Sequence, residues 1–306
     1  MTPGLASLTP PPFVRLSVEL EATTPLVLRG WLGSTLHGAI GHALRRRDGA
    51  ESFESSPSYR RWMEADHPPL PGWMATGRVA PLVLRPPPVV AERRHLAKGD
   101  RLVIELVCLH RDPTSIGALC EALERLEDRG FGGRDQRLRL ASIRSGGREL
   151  VQNHRVVEMP IVEHADAPTD SPPALVLEAR TPLALRREGQ SLTNPHPLDL
   201  ALAALRRIVS LRFAFDAPLA EFHLGDLADA LTRDVEVDRS EWRRFHDERW
   251  SSRQHKAHQV DGVLGTTTLR GDLGPLAALL TRAEPFGLGK GTALGLGSFV
   301  VAHSIA

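Results

Sequence analysis

The chain has 306 residues, and its 38 lysines and arginines nearly balance its 37 aspartates and glutamates, leaving a net charge of +1. Hydrophobic residues make up 42% and charged residues 25%, a balance that is typical of globular proteins and excludes a disordered chain. No apolar run approaches the roughly 20 residues of a membrane-spanning helix, and residues 1–12 lack a basic segment followed by an apolar stretch. We therefore expect a cytoplasmic protein without membrane contact, in which any nucleic-acid surface is a local basic patch.

The first half of the chain alternates between strand-like and helix-like patterns. β-branched and apolar residues indicate the strands, and apolar residues at helical spacing indicate the helices. In chain order the pattern predicts strand Val14–Leu20, helix Leu32–Arg46, strands Val79–Leu84 and Leu102–Leu109, helix Ser115–Arg129 and a strand from about Arg137 to Ile143. This β-α-β-β-α-β order is the ferredoxin-like arrangement.

The second half repeats the first. Residues 20–29, LEATTPLVLR, recur as residues 177–186, LEARTPLALR, and in both halves the segment follows a strand and precedes a helix. The second set of elements is strand Ala174–Glu178, helix Pro197–Phe213, extended segments near Val235–Val237 and Val260–Leu269, helix Leu273–Ala283 and strand Leu294–Ala302. Repetition at this spacing indicates duplication of a whole domain.

We therefore predict an α+β protein of two tandem ferredoxin-like domains, of the kind found in RRM and RAMP proteins. The first spans residues 1–164 with an insertion near 48–76, a linker spans 165–173, and the second spans 174–306. Cys108 and Cys120 are the only cysteines, too few for a disulfide framework or a four-thiolate zinc site. His255 and His258 are three residues apart but have no convincing acidic or cysteine partner. We expect neither metal nor other cofactor.

The sharpest local pattern lies between the last predicted helix and strand, where residues 287–297 read GLGKGTALGLG. Glycines permit positive φ and close backbone approach, so consecutive amide N–H groups can face a phosphate chain, with Lys290 adding charge. The alternative is a glycine-rich turn that packs the strand against the helix. The dinucleotide and Walker fingerprints need the glycines before a helix, so neither fits.

A second candidate is the segment Arg243–Lys256, which mixes cations with aromatic residues as RNA backbone contact and base stacking require. Its alternative is a solvated charged segment, because Asp247 and Glu248 offset part of the charge. The runs Arg45–Arg47 and Arg206–Arg207 are weaker, since each fits the solvent face of a helix.

At these motifs the chain resembles the CRISPR repeat-processing endoribonucleases of the RAMP superfamily. The resemblance rests on the glycine-rich segment 287–297, on Trp250–Gln254, on Gly262–Gly265, on Leu28–Gly30 with Gly41–Arg45, and on Leu82–Pro87. Three features depart from the family pattern. Residues 48–73 lack its cysteine cluster, Trp250 replaces a tyrosine, and no histidine stands just before Gly289-Lys290.

The resemblance implies two ferredoxin-like domains and metal-independent cleavage of CRISPR repeat RNA to mature guide RNA, by 2′-hydroxyl attack that leaves a cyclic phosphate. Its partners would be that RNA and other CRISPR effector subunits. One alternative is a non-catalytic RAMP subunit that holds guide RNA in an effector complex, and a weaker one is a general single-strand RNA binder.

The family's catalytic residues tend to lie on or just after the first helix, where His37 and His42 stand on opposite flanks of the apolar stripe. We favour His42, which matches the family motif beside Arg45 and Arg46, over His37; each histidine could instead simply pack the helix. Lys290 is the candidate for stabilising charge on the phosphate. The RNA-binding candidates are Arg29, Arg45, Arg46, Arg249, Arg253, Gln254, Lys256, Lys290, Gly287, Gly289, Gly291, Gly295 and Gly297.

Overall fold

The structure is a computed structural model that describes residues 8–65, 67, 69–70, 79–128, 131, 135–152, 155–167, 170–216, 223–251 and 256–304. Within these ranges, no helix combines the length and the hydropathy needed to cross a membrane.

The first half forms one antiparallel sheet with helices packed on one face. Its elements are β1 Phe13–Ala22, β2 Leu26–Leu28, α1 Gly33–Arg47, α2 Pro57–Met63, β3 Leu82–Arg85, β4 Arg94–Leu96, β5 Arg101–Cys108, α3 Pro113–Glu124, β6 Leu138–Ser145, β7 Arg148–Glu149, β8 Val151–Gln152, β9 Arg155–Val156 and β10 Val162–Glu163. The sheet order is β3-β5-β1-β6-β7, with β10 also paired to β1. The four strands β3, β5, β1 and β6, which follow one another in the sheet, have the ferredoxin-like order.

The second half repeats this topology. Its elements are β11 Ala174–Leu183, β12 Arg186–Arg187, β13 Gln190–Ser191, α4 Pro197–Phe215, α5 Leu224–Thr232, β14 Val235–Ser251, β15 Lys256–Gly271, α6 Gly274–Ala283 and β16 Phe299–Ser304. The sheet order is β14-β15-β11-β16. The predicted α+β fold of two ferredoxin-like halves is therefore confirmed.

Alternating burial along β1 shows which face of the sheet meets the helices. Leu16, Val18 and Leu20 are fully buried against the helices, whereas Arg15 and Glu19, on the other face, form ion pairs with neighbouring strands. Each fully buried leucine or valine contributes about 1.5–3 kcal/mol to stability. The period of two residues thus determines which face of the sheet carries the helices.

Three element predictions differ from the structure. Helix α5 and the short helix α2 were not predicted; α2 begins where the Ser56 side chain accepts a hydrogen bond from the Tyr59 N–H. The last strand begins at Phe299 rather than Leu294, because a 3-10 turn spans Thr292–Leu294 and glycines with positive φ follow it.

A buried arginine and an aromatic pair join the two halves. Arg85 at the end of β3 is 8% exposed, pairs with Glu105 at 3.1 Å and donates to the main-chain carbonyls of Glu284 and Phe299 in the second half. Beside it, the rings of Phe13 and Phe286 make an edge contact at 5.1 Å between centroids. Burial lowers the pKa of Arg85, yet a guanidinium stays charged under ordinary conditions.

We expect Arg85→Met to lower the free energy of unfolding by about 2–4 kcal/mol, because it leaves buried carbonyls and a carboxylate without their donor. The measurement is the urea midpoint of unfolding. The matched control is Arg139→Met, which removes an exposed ion pair with Glu21 from the same sheet and should leave the midpoint nearly unchanged. Equal effects of the two substitutions would contradict the role given to Arg85.

Candidate functional site

The glycine-rich segment 287–297 is a compact loop between α6 and β16. Its glycines all have φ between 72° and 80°, a region that residues with a side chain rarely adopt. The glycines with this conformation are Gly287, Gly289, Gly291, Gly295 and Gly297. The loop therefore needs glycine at each of these positions for conformational reasons alone.

Most amides of this loop donate to the protein itself. The Leu288 N–H donates to Gly297 O at 2.9 Å, the Lys290 N–H to Ala184 O at 3.1 Å and the Gly297 N–H to Pro182 O at 2.9 Å; the N–H groups of Gly287, Leu294, Gly295 and Leu296 also donate to main-chain carbonyls. These seven amides are therefore occupied within the protein, and the expectation that consecutive amides of the loop face a phosphate chain stays a prediction. Buried N–H groups must find an acceptor, and here the loop and the end of β11 supply it.

The tip of the loop, residues 289–294, is partly exposed. Lys290 is exposed there, while Thr292 and the glycines Gly287, Gly295 and Gly297 are buried. Direct RNA contact by these three glycines stays a prediction, and in the structure they pack against the protein.

Close backbone approach places α1 against this tip. A Cβ atom on Gly33, the first residue of α1, would lie 2.1 Å from the carbonyl oxygen of Leu294, and one on Gly295 would lie 2.8 Å from Cδ of Pro86. Both distances are shorter than real Cβ contacts allow. The absence of side chains here lets the first half and the loop touch main chain to main chain.

This contact brings His37, one turn along α1, to the loop. Its Nδ1 lies 3.1 Å from the carbonyl oxygen of Ala293. A carbonyl can only accept, so Nδ1 carries the proton and Nε2 keeps its lone pair. Burial, with a smaller contribution from the positive charge of Arg249, lowers the pKa of His37 to about 4. His37 is therefore a neutral imidazole at pH 7, and Nε2 is the nitrogen that can accept a proton.

The long hairpin of β14 and β15 forms the other side of the site. It extends past the end of β11, whose last partner is Val263, and continues to the pair Ser251–Lys256. One face of this extension packs on the first half, because Phe245 contacts Trp31 at 6.1 Å between ring centroids, and Val260 clusters with Trp31. The next residue pair on the same face is Arg249 opposite His258.

Arg29 fastens this hairpin to the first half. Its Nη1 donates to Glu248 O at 2.9 Å and lies 3.6 Å from a carboxylate oxygen of Asp247. Arg29 was predicted to bind RNA, and that stays a prediction, but in this structure its guanidinium holds the hairpin.

We call His37, Arg249 and the loop tip 289–294 the junction site.

The structure places several other candidates elsewhere. His42 packs on Phe53 at 4.9 Å between ring centroids. Arg45 donates to the carbonyls of Ala50 and Glu51, and Arg46 donates to Arg125 O at 2.7 Å. These residues hold the insertion and the end of α3 around the C-terminal part of α1. Arg46 lies roughly 14 Å along the helix axis from His37. His42, Arg45 and Arg46 contact the insertion and the residue after α3 instead of the junction site.

Of the remaining candidates, Lys256 is exposed at the start of β15, and Arg253 and Gln254 lie outside the described residues. Within the described part of the chain, no group of three or more His, Cys, Asp or Glu is arranged to hold a metal ion.

Sequence reasoning missed Trp31 and His258 as parts of the site, while Phe245 lay within the predicted RNA-contact segment Arg243–Lys256 without a role of its own. The alternation of residues along β14 and β15 could have placed Phe245, Arg249 and His258 on one face, had the strands been predicted at their full length. The short predicted segments Val235–Val237 and Val260–Leu269 hid that alternation.

Comparison with known proteins agrees with this architecture. Residues 8–167 match a family model described as an N-terminal domain, and residues 177–299 match the model of the CRISPR-associated endoribonuclease Cas6. Among solved structures, a Thermus thermophilus Cas6 is 16% identical, with 96% of this chain and 99% of that chain covered and a TM-score of 0.56. A Cas6 product complex is 18% identical, with 94% and 99% covered and a TM-score of 0.57.

A further structure, described as that of a Cas6-related gene from Pyrococcus furiosus, is 12% identical, with 95% and 98% covered and a TM-score of 0.51. No curated protein matches the chain by sequence. At these identities the similarity to solved structures shows a shared fold of two tandem ferredoxin-like halves. The Cas6 family model covers residues 177–299, which include the glycine-rich loop and the hairpin. Residues 177–299, the second half of the chain, thus match the CRISPR-associated endoribonuclease Cas6 family, and the whole chain shares the fold of solved Cas6 structures.

Proposed function

We propose that this protein is a metal-independent endoribonuclease that cleaves CRISPR repeat RNA to mature guide RNA by attack of a 2′-hydroxyl on the adjacent phosphate, leaving a cyclic phosphate. The observation that carries the proposal is the state of His37. Its Nδ1–H is held by Ala293 O, and its pKa of about 4 keeps Nε2 free to accept a proton at neutral pH. A base oriented by a fixed acceptor is what removal of the 2′-hydroxyl proton requires.

His37 replaces His42 as the proposed base. Both histidines are on α1, but only His37 contacts the loop and feels the charge of Arg249, whereas His42 packs on the insertion. The proposed substrate phosphate lies between the loop tip and the hairpin, where Arg249 and Lys290 offer positive charge to the developing phosphorane. Lys256, exposed on the hairpin, extends this charge for contacts with the RNA backbone.

Two solved structures of the same fold support this substrate class, one of Cas6 with a product and one of Cas6 with a substrate mimic. The family relationship also leaves open a subunit that binds guide RNA without cutting it, in an effector complex with other CRISPR subunits. Cleavage assays separate these two functions.

The first test is incubation of the purified protein with its cognate repeat RNA in EDTA. We expect cleavage at one position with a cyclic-phosphate end, because the reaction uses the RNA's own hydroxyl and protein side chains. A repeat with 2′-deoxyribose at the cleavage site should bind equally and stay intact. Binding of both RNAs without any product would identify a non-catalytic subunit.

The second test is His37→Ala, which should lower the single-turnover rate by about 100-fold or more, as expected for loss of a general base, while the Kd for repeat RNA changes little. His42→Ala is the matched control on the same helix and should cleave at close to the wild-type rate. Since the pKa of His37 is about 4, this base stays neutral, and the wild-type rate should not fall on its account as the pH is lowered from 7 to 5. The opposite ranking of the two variants would restore His42 as the base.

The third test is Lys290→Ala, measured as the dependence of Kd on salt concentration. If Lys290 neutralises one phosphate of single-stranded RNA, the slope of log Kd against log salt should decrease by about 0.7. Lys98→Ala, which removes an exposed lysine from the turn before β5, should leave the slope unchanged. Identical slopes for all three proteins would remove Lys290 from the binding surface.

A further inference from the structure

His258 occupies the position on the hairpin that faces the junction site beside Arg249. The two residues are directly opposite in the register of β14 and β15, so their Cβ atoms are separated by roughly 5 Å. Two residues along the same face, Val260 packs with Trp31 and Leu296. His258 thus continues the surface by which the hairpin meets the first half and the glycine-rich loop.

The polar end of His258 is unsatisfied in this structure. Its Nε2 is buried, and within the described part of the chain no group is placed to form a hydrogen bond with it. Leaving a buried polar atom without a partner costs about 1–3 kcal/mol, and such atoms are rare enough in native proteins to require an explanation. A ligand that enters beside Arg249 would supply the missing partner.

Arg249 connects His258 to the proposed base. Arg249 is paired with His258 across the hairpin, and its charge contributes to the lowered pKa of His37. The charged neighbours of His258 on this face of the hairpin are Arg249 directly opposite, Asp247 on β14 and Lys256 two residues away on its own strand, and Asp247 in turn pairs with Arg29 of the first half.

The proposed reaction needs a proton donor that His37 does not provide. A neutral His37 can accept the 2′-hydroxyl proton, but it holds no extra proton for the 5′-oxygen that leaves. Arginine stays protonated and cannot serve as an acid near neutral pH. Imidazole is the side chain best suited to donate and regain a proton in that range.

We propose that His258 protonates the departing 5′-oxygen when the RNA is cut, an assignment that rests on the proposed endoribonuclease function. The 2′-hydroxyl gives its proton to Nε2 of His37 as the O2′–P bond forms. The P–O5′ bond breaks, its electron pair stays on O5′, and His258, which enters the step as the imidazolium, gives its Nε2 proton to that oxygen and becomes neutral imidazole. The products are a 2′,3′-cyclic phosphate and a 5′-hydroxyl, and no oxidant, reductant or metal is required to balance the step.

The experiment uses two forms of the repeat RNA under single-turnover conditions, one natural and one with sulfur in place of the 5′-bridging oxygen at the cleavage site. A thiolate leaves without protonation, so the sulfur RNA does not need an acid. His258→Gln should cut the natural RNA about 100-fold or more slowly than wild type, as for loss of a general acid. It should cut the sulfur RNA at close to the wild-type rate, whereas His37→Ala should be slow on both.

The matched control is His303→Gln, on β16 of the same sheet, where the side chain of His303 is exposed. It should behave as wild type on both RNAs. Unchanged cleavage of natural RNA by His258→Gln, or an equal loss on both RNAs, would overturn the assignment of His258 as the acid. Wild-type protein that cuts neither RNA would instead refute the endoribonuclease function itself, so the two failures are distinguishable.

Discussion

The arrangement of the molecule depends on the main-chain contact between the start of α1 and the glycine-rich loop. Gly33 and Gly295 have no side chains to separate the two segments, and a Cβ on either would overlap its neighbour. This contact sets His37 against Ala293 O and allows the hairpin to close over Trp31. Arg85 and the Phe13–Phe286 pair then join the halves from the side of the sheets.

The glycine-rich loop works mainly as a structural joint. Seven of its N–H groups donate to main-chain carbonyls of the protein, and its contact with the proposed base is made by the carbonyl of Ala293. A carbonyl that accepts from Nδ1 determines the tautomer of His37, and burial determines its charge. The proposed activity therefore follows from how the loop holds a histidine, rather than from a cradle of amides.

The duplication has produced two halves with different roles. The first half contributes α1, which carries His37, and the insertion whose carbonyls accept hydrogen bonds from Arg45. The second contributes the loop and a hairpin whose strands, Val235–Ser251 and Lys256–Gly271, are far longer than their counterparts β3 and β5. Arg29 reaches from one half to the main chain of the other, which places the proposed site at their junction. With a net charge of only +1, attraction of RNA must come from this local group of cations.

Local pattern by itself determined the β-α-β-β-α-β order of each half and the similarity of the two halves, because strand alternation and helical spacing act over a few residues. It also made His37, Lys290 and Arg249 candidates. Only the tertiary structure placed His37 against the glycine-rich loop and His42 against the insertion, turned Arg45 and Arg46 toward main-chain carbonyls, and placed His258 opposite Arg249. These outcomes depend on contacts between residues that are up to 256 positions apart, and no periodicity along the chain records which distant carbonyl or charge a side chain will meet.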